Sequence, residues 1–194
     1  MAQSTFNGSG THGDARAIWN GNATDAETRL AALEGAQGFE DANDTTGDVS
    51  VPADTWTVVP NNGAGPFSNN SYLPVGVTQL IDTGAGKFDP TELELGDMIL
   101  VRNDFTVTPN INGAYLEYRY TLGTGGGAYT LPTQLGTLNN GAGIPYRFAS
   151  RIDEIYMGDT NTRDNLIGLE VRCSEPATLN NAGSVVSVVK GTGS

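Results

Sequence analysis

Residues Asp97 to Leu122, DMILVRNDFTVTPNINGAYLEYRYTL, decide the fold. Asp97 to Val107 reads as one strand, Asn112-Gly113 signals a tight turn, and Ala114 to Leu122 reads as the strand that returns. In this second strand Ala114, Leu116, Tyr118, Tyr120 and Leu122 alternate with Tyr115, Glu117, Arg119 and Thr121. A period of two with one apolar face is the pattern of a half-buried antiparallel strand. The glycines from Gly123 to Gly127 end it.

Working outward, Tyr146 to Met157, Leu166 to Cys173 and Ser184 to Lys190 read as three further strands, separated by Gly158 to Asn165 and by Glu175 to Gly183. Upstream, Thr55 to Val59 is a short strand that includes Trp56. Tyr72 to Asp82 is an edge strand interrupted by Pro74. The chain has 26 glycines and 9 prolines without a three-residue collagen period, a composition that suits short strands joined by turns. Strands at this spacing without intervening helical patterns predict an all-β fold, an antiparallel sandwich or barrel. No fixed-period repeat is visible, which argues against a propeller or solenoid.

The 194 residues suffice for one sizeable core. Ten Lys and Arg against 22 Asp and Glu give a formal charge of -12, so the field repels nucleic acid and anionic membranes, and no basic stripe hides inside the average. The sequence opens without a secretory pattern and holds no apolar run long enough to span a membrane, so synthesis in a cytoplasm without membrane insertion is expected. The single cysteine, Cys173, lies in the alternating run from Leu166 and reads as a small buried hydrophobe.

The N-terminal region has a different texture. Met1 to Gly21 holds Asn7-Gly8, Ser9-Gly10 and His12-Gly13 with few apolar anchors, and predicts an arm that orders against a partner. One short helix is expected over about 23–34, where Thr24 and Glu27 form a capping-box pair and Gly35 closes the end. Trp19, Ala23, Ala26, Leu30 and Leu33 recur at coiled-coil spacing and are the candidate assembly contacts, although Asn20-Gly21-Asn22 interrupts the stripe. The same stripe also suits packing onto the protein's own sandwich. Gln37 to Gly47 reads as an acidic linker, so residues 1–45 form an arm, helix and linker, and 46–194 form the sandwich.

On the runs GDMILVRNDFTVTPNINGAYLEYRYTLG and IPYRFASRIDEIYMGDTNTRDNLIGLEVRCSEPATLNNAGSVVSVVKG, the chain resembles the jelly-roll domains on the outside of tailed-bacteriophage particles. DAETRLAALE similarly resembles the short helix that precedes such domains in phage fibres. The resemblance covers about half of the chain and is one of texture, without a diagnostic motif. It implies a jelly-roll β-sandwich in a virion structural protein, a capsid decoration or head-fibre protein that assembles as a homotrimer on the particle surface. Its partners would be itself and the major capsid or another virion protein. A tail-fibre module that binds a host receptor or surface glycan is the alternative, with the loops at Gly123 to Gly127 and Gly158 to Asn165 as readers. No catalytic or cofactor-binding residues carry over.

Candidate chemistry is sparse. Gly8-Ser9-Gly10-Thr11-His12-Gly13 matches a dinucleotide-binding spacing, but lacks the strand before it and the βαβ unit around it. His12 is the only histidine, so no histidine relay or histidine-rich metal site exists in the body of the fold. Asp153, Glu154, Asp159 and Glu170 are candidates for a sugar-cleaving carboxylate pair. Asp159 to Glu170 also approximates a calcium loop, but Asp164 stands where glycine is needed and Arg163 at a ligand position; Asp41, Asn43, Thr45 and Asp48 form a second such cluster. Tyr115, Tyr129, Tyr146 and Tyr156 are candidate contact residues, since tyrosine joins apolar area to a polar tip.

Overall fold

The computed structural model describes residues 12–149 and 151–191; within the first helix, side chains are described for residues 17–30. The chain divides into two units, Met1–Ala36 and Gln37–Ser194.

The first unit contains helix α1, His12–Glu34. It begins well before the expected start near residue 23, so the part of the predicted arm from His12 onward is helical, while residues 1–11 lie outside the described residues. Asn20-Gly21-Asn22 does not interrupt it. A glycine inside a helix costs about 1 kcal/mol relative to alanine, and a 23-residue helix with alanines on both sides absorbs that. Thr24 is not a cap: its Oγ1 donates to the Asn20 carbonyl at 3.0 Å, and Thr28 does the same to Thr24 at 2.8 Å. Both are interior threonines bonding back one turn.

The second unit is built from β1 (Gln37–Asn43), β2 (Asp48–Val51), β3 (Thr57–Val58), β4 (Asn69–Tyr72), β5 (Ile81–Asp82), β6 (Lys87–Phe88), β7 (Met98–Pro109), β8 (Ala114–Leu122), β9 (Tyr129–Leu138), β10 (Tyr146–Phe148), β11 (Ile152–Tyr156), the one-turn helix α2 (Thr160–Arg163), β12 (Gly168–Cys173) and β13 (Ala177–Val189). Sheet 1 runs β10-β7-β13-β1-β4, with β11 also on β7 and β2 also on β13; sheet 2 runs β3-β12-β8-β9. All pairings between these strands are antiparallel. The pairs are nested: β1 with β13, β3 with β12, β7 with β10 and β11, and β8 with β9. A ribbon of nested antiparallel pairs folded over into two sheets is a jelly roll, so the fold is an antiparallel jelly-roll β-sandwich.

The decisive stretch behaves as its pattern dictates. β7 and β8 flank the Asn112-Gly113 turn, where Gly113 has φ +84° and its N–H donates to the Leu138 carbonyl at 2.9 Å. Inward residues of β7, β8, β12 and β13, among them Ile99, Val107, Leu116, Leu122, Val171 and Leu179, are almost wholly removed from solvent. They form one core between the sheets, and each full burial contributes about 1.5–3 kcal/mol. Cys173 is part of that core, and burial pushes its thiol pKa up.

Several expectations need correction. The acidic linker over Gln37 to Gly47 contains β1, which pairs with β13 from Gln37↔Val189 to Asn43↔Gly183; the inward charge of Glu40 and the outward apolar Phe39 masked its alternation. The strand expected at Ser184 to Lys190 begins instead at Ala177, because a bulge between Asn181 and Gly183 lets β13 stay paired with β7 across the glycine. Gly183 is required there: it has φ +140°, and a Cβ would lie 2.5 Å from the Ala42 carbonyl oxygen. Tyr146 to Met157 is two strands, broken where three residues separate Phe148 from Ile152 while their partners Phe105 and Arg102 are separated by two. The edge strand expected over Tyr72 to Asp82 is not one strand: Tyr72 ends β4, and only Ile81–Asp82 within the rest is extended, as β5 paired with β6. Beyond Tyr72 the backbone is held by carboxylates: Glu92 accepts from the Thr78 N–H at 2.5 Å and Oγ1 at 2.8 Å, and Glu40 accepts from the Leu80 and Ile81 N–H groups at 2.5 and 3.1 Å. β9 carries no clean alternation, and its place in sheet 2 comes from pairing with β8.

A polar network is buried beside the apolar core. Asn61, Asn103, Asn181 and Ser184 are each at most 9% exposed. Asn61 Nδ2 donates to Ser184 Oγ at 3.1 Å, Ser184 Oγ donates to Asn103 Oδ1, Asn103 Nδ2 donates to Asn181 Oδ1 at 3.1 Å, and Asn181 Nδ2 donates to the Pro60 carbonyl at 2.6 Å. A satisfied network of this kind fixes which residues face one another in the core.

Candidate assembly surface

The two outward faces of the sandwich differ in chemistry. On sheet 2, Arg119 Nε meets Glu170 at 2.7 Å and Arg172 Nε meets Glu117 at 2.9 Å, each pair crossing between β8 and β12. The guanidinium of Arg119 lies 4.2 Å from the Trp56 ring centroid and that of Arg172 lies 5.0 Å from it. This is a charged, solvated face whose ion pairs contribute under about 1 kcal/mol each.

Sheet 1 is otherwise. Its strand registers place Gln37, Val189, Met98 and Tyr156 in one outward row. The next row is Tyr72, Phe39, Ser187, Leu100 and Glu154, followed by Asn69, Asp41, Val185, Arg102 and Ile152. Phe39 stacks on Tyr72 with centroids 5.2 Å apart. Tyr156, Ile152 and Tyr72 are each about 60% exposed, while Leu100, Val185 and Val189 are half-buried. An antiparallel sheet with a solvated face normally alternates apolar and polar residues, so the outward apolar side chains of the first two rows are the candidate contact surface, bordered by Asp41 and Arg102 in the third. The sequence carries a signal for it: Met98-Ile99-Leu100-Val101 and Val185-Val186 with Val188-Val189 are apolar on both faces, as in strands covered on both sides.

In α1, the described side chains from 17 to 30 are exposed except for half-buried Ile18. Trp19 is 75% exposed and Leu30 56%, and Ala23 and Ala26 are exposed with them. The continuous helix places Trp19, Ala23, Ala26, Leu30 and Leu33 on one stripe by their spacing, the side chain of Leu33 lying outside the described residues.

The remaining sequence candidates are not brought together. Asp153 and Glu154 point to opposite faces of sheet 1: Asp153 turns inward and accepts from Tyr118 Oη at 2.6 Å and Tyr120 Oη at 3.2 Å, while Glu154 pairs across from outward Leu100. Asp159 caps α2 by accepting from the Thr162 N–H at 2.8 Å, and Glu170 belongs to the outer face of sheet 2. These four carboxylates therefore do not form a pair across a cleft. The calcium-like loop is spent in the same way, with Asp164 bound to Arg163 Nε at 2.6 Å. Of the second cluster, Asp41 accepts from Asn43 Nδ2 and Asp48 from Asn180 Nδ2. Among the described residues no group of three His, Cys, Asp or Glu side chains is placed to hold a metal ion. Of the GxGxxG match, residues 8–11 lie outside the described residues and Gly13 is inside α1. Tyr156 joins the apolar face of sheet 1, whereas Tyr115 lies on sheet 2, Tyr129 on β9, and Tyr146 on β10 accepting from the Asn140 N–H.

A cavity of about 80 Å³ lies between Phe105, Phe148, Leu135, Tyr118, Tyr120 and Asp153. Arg151 Nε reaches Asp153 at 3.0 Å and its guanidinium lies 5.3 Å from the Tyr118 ring centroid. Burial, reinforced by the bond to Asp153, pushes the Tyr118 phenol up to about 12, and burial raises that of Tyr120 as well. Both phenols are neutral donors near neutral pH, which makes this cluster a packing and hydrogen-bonding unit. No described helix is long and apolar enough to cross a membrane.

No protein-family model matches the chain, and no curated protein matches it. Among solved structures, Eiger TNF from S. frugiperda is similar at 15% identity and a TM-score of 0.45, over 81% of this chain and 93% of that one. A structure of infectious bursal disease virus Gt strain is similar at 12% identity and a TM-score of 0.42, over 80% of this chain and 32% of that one. PRD1 vertex protein P5 is similar at 13% identity and a TM-score of 0.31, over 80% of this chain and 96% of that one. The chain thus spans about a third of the bursal virus protein it matches, and its jelly-roll assignment rests on its own strand pairing.

Proposed function

We propose that this protein is a non-catalytic virion structural protein, a decoration or head-fibre protein of a tailed bacteriophage. In this reading it self-associates as a homotrimer at the particle surface and is tethered by its N-terminal unit to a major capsid or other virion protein. The observation that carries self-assembly is the contrast between the two outward faces of one sandwich: crossed Arg–Glu pairs on sheet 2, and on sheet 1 two adjacent rows in which Val189, Met98, Tyr156, Phe39, Tyr72 and Leu100 outnumber the polar residues among them. Water satisfies the first face; a second copy satisfies the second. The helix supports the same reading, because helices draw most of their stability from packing an apolar face, and the Trp19-to-Leu33 stripe gains that packing when it meets other copies. The acidic surface keeps assembled particles apart and away from free nucleic acid.

Adding purified protein to particles that lack it tests the assignment. Saturating attachment at a fixed ratio to capsid protein is expected; attachment to host cells or their surface glycans with none to particles overturns it in favour of a receptor-binding module.

A further inference from the structure

We infer that Asn140 is a site of spontaneous modification, where the folded protein converts asparagine to aspartate and isoaspartate. The sequence holds five Asn-Gly pairs, at Asn7, Asn20, Asn62, Asn112 and Asn140. In such a pair the backbone nitrogen of the glycine attacks the asparagine Cγ and ammonia leaves, giving a succinimide. Water then opens the ring at either carbonyl. Glycine permits this because it has no Cβ to obstruct the approach, and the step requires that its N–H is not held by an acceptor.

The fold protects three of the pairs. Gly21 lies inside α1, where its N–H is taken by the helix. Gly63 donates to Asn61 Oδ1 at 3.2 Å, and the Asn62 side chain is pinned between the Thr45 and Ala64 N–H groups at 3.1 and 3.0 Å. Gly113 donates to the Leu138 carbonyl at 2.9 Å. Asn7 lies outside the described residues. At Asn140 the situation differs. The residue is exposed on the β9–β10 connection, and its own N–H donates to Tyr146 Oη. Among the described residues, neither its side-chain amide nor the Gly141 N–H has a hydrogen-bond partner. Gly141 sits at φ +121°, a conformation open to glycine and strained for other residues. The product places a new carboxylate in that connection, and the isoaspartate form adds a methylene to its backbone.

The full chain is held in mildly alkaline buffer at physiological temperature, with a parallel sample unfolded in urea, and both are mapped by peptide mass spectrometry with isoaspartyl methyltransferase labelling. In the folded sample the Asn140 peptide is expected to convert at least about fivefold faster than the Asn62 and Asn112 peptides, the factor corresponding to one intact hydrogen bond. In urea the three are expected to converge. Asn140→Gln is expected to remove the labelling from that peptide alone. Conversion of Asn140 no faster than Asn112 in the folded protein, or labelling of that peptide that survives Asn140→Gln, overturns the inference.

Discussion

Leu100→Arg separates assembly from folding. Leu100 lies in the middle of the apolar face, between Ser187 on β13 and Glu154 on β11, and is half-exposed in the single chain. In the isolated sandwich the arginine stays in solvent and meets Glu154 across the strand pair, so the folding stability is expected to change by no more than about 0.5 kcal/mol. In an assembled face the same change removes about 1 kcal/mol of remaining leucine burial and takes a guanidinium out of water, a desolvation cost of several kcal/mol that the Glu154 carboxylate only partly offsets. A conservative sum is about 2 kcal/mol per interface. A closed ring of three copies contains three such interfaces, so the assembly constant is expected to fall by roughly four decades. Sedimentation velocity across a concentration series reads the loss of the oligomer, and circular dichroism with urea unfolding reads the fold. An oligomer of unchanged mass and affinity in a well-folded Leu100→Arg chain would refute the assignment of this face.

Three further outcomes follow from the structure. Leu30→Asp, on the exposed stripe of α1, is expected to weaken oligomerisation by about tenfold or more without changing urea unfolding of the sandwich, the cost being a charge at a seam position. Tyr118 has a folded pKa of about 12 against an ordinary value of 10, so its contribution is fully present below pH 10 and is lost as the pH rises toward 12; spectrophotometric titration should show a late-ionising tyrosine that Asp153→Asn shifts downward. Glu40 is buried, and desolvation raises its pKa above 4.5, so it stabilises the fold most below that value and less as the pH rises through its folded pKa; Glu40→Gln is expected to flatten the dependence of urea midpoints on pH in that window.

The parts of the fold that sequence discloses are those where one physical signal acts alone. β8 is legible because five inward apolar positions alternate with Tyr115, Glu117, Arg119 and Thr121 without exception, and the Asn112-Gly113 turn fixes what precedes it. β1 is not, because Glu40 sits inward at 6% exposure and is satisfied by the Leu80 and Ile81 N–H groups, contacts forty residues away that no local pattern reports. The N-terminal side of β13 is hidden by Asn180, Asn181 and Gly183, which read as a loop until the bulge and the Asn103–Ser184–Asn61 network explain them. The stripe on α1 was visible by spacing, whereas its continuity through Gly21 depended on helix length outweighing one unfavourable residue. The face of sheet 1 was present in the sequence as doubled apolar runs, but which side of each run faces outward depends on registers that only the assembled sheet defines.

Self-assembly is tested most directly by light scattering on the intact chain in solution, carried from dilute to concentrated protein. Three copies of the 20.3 kDa chain are expected as a stable species; the mass of a single chain across the whole range contradicts it.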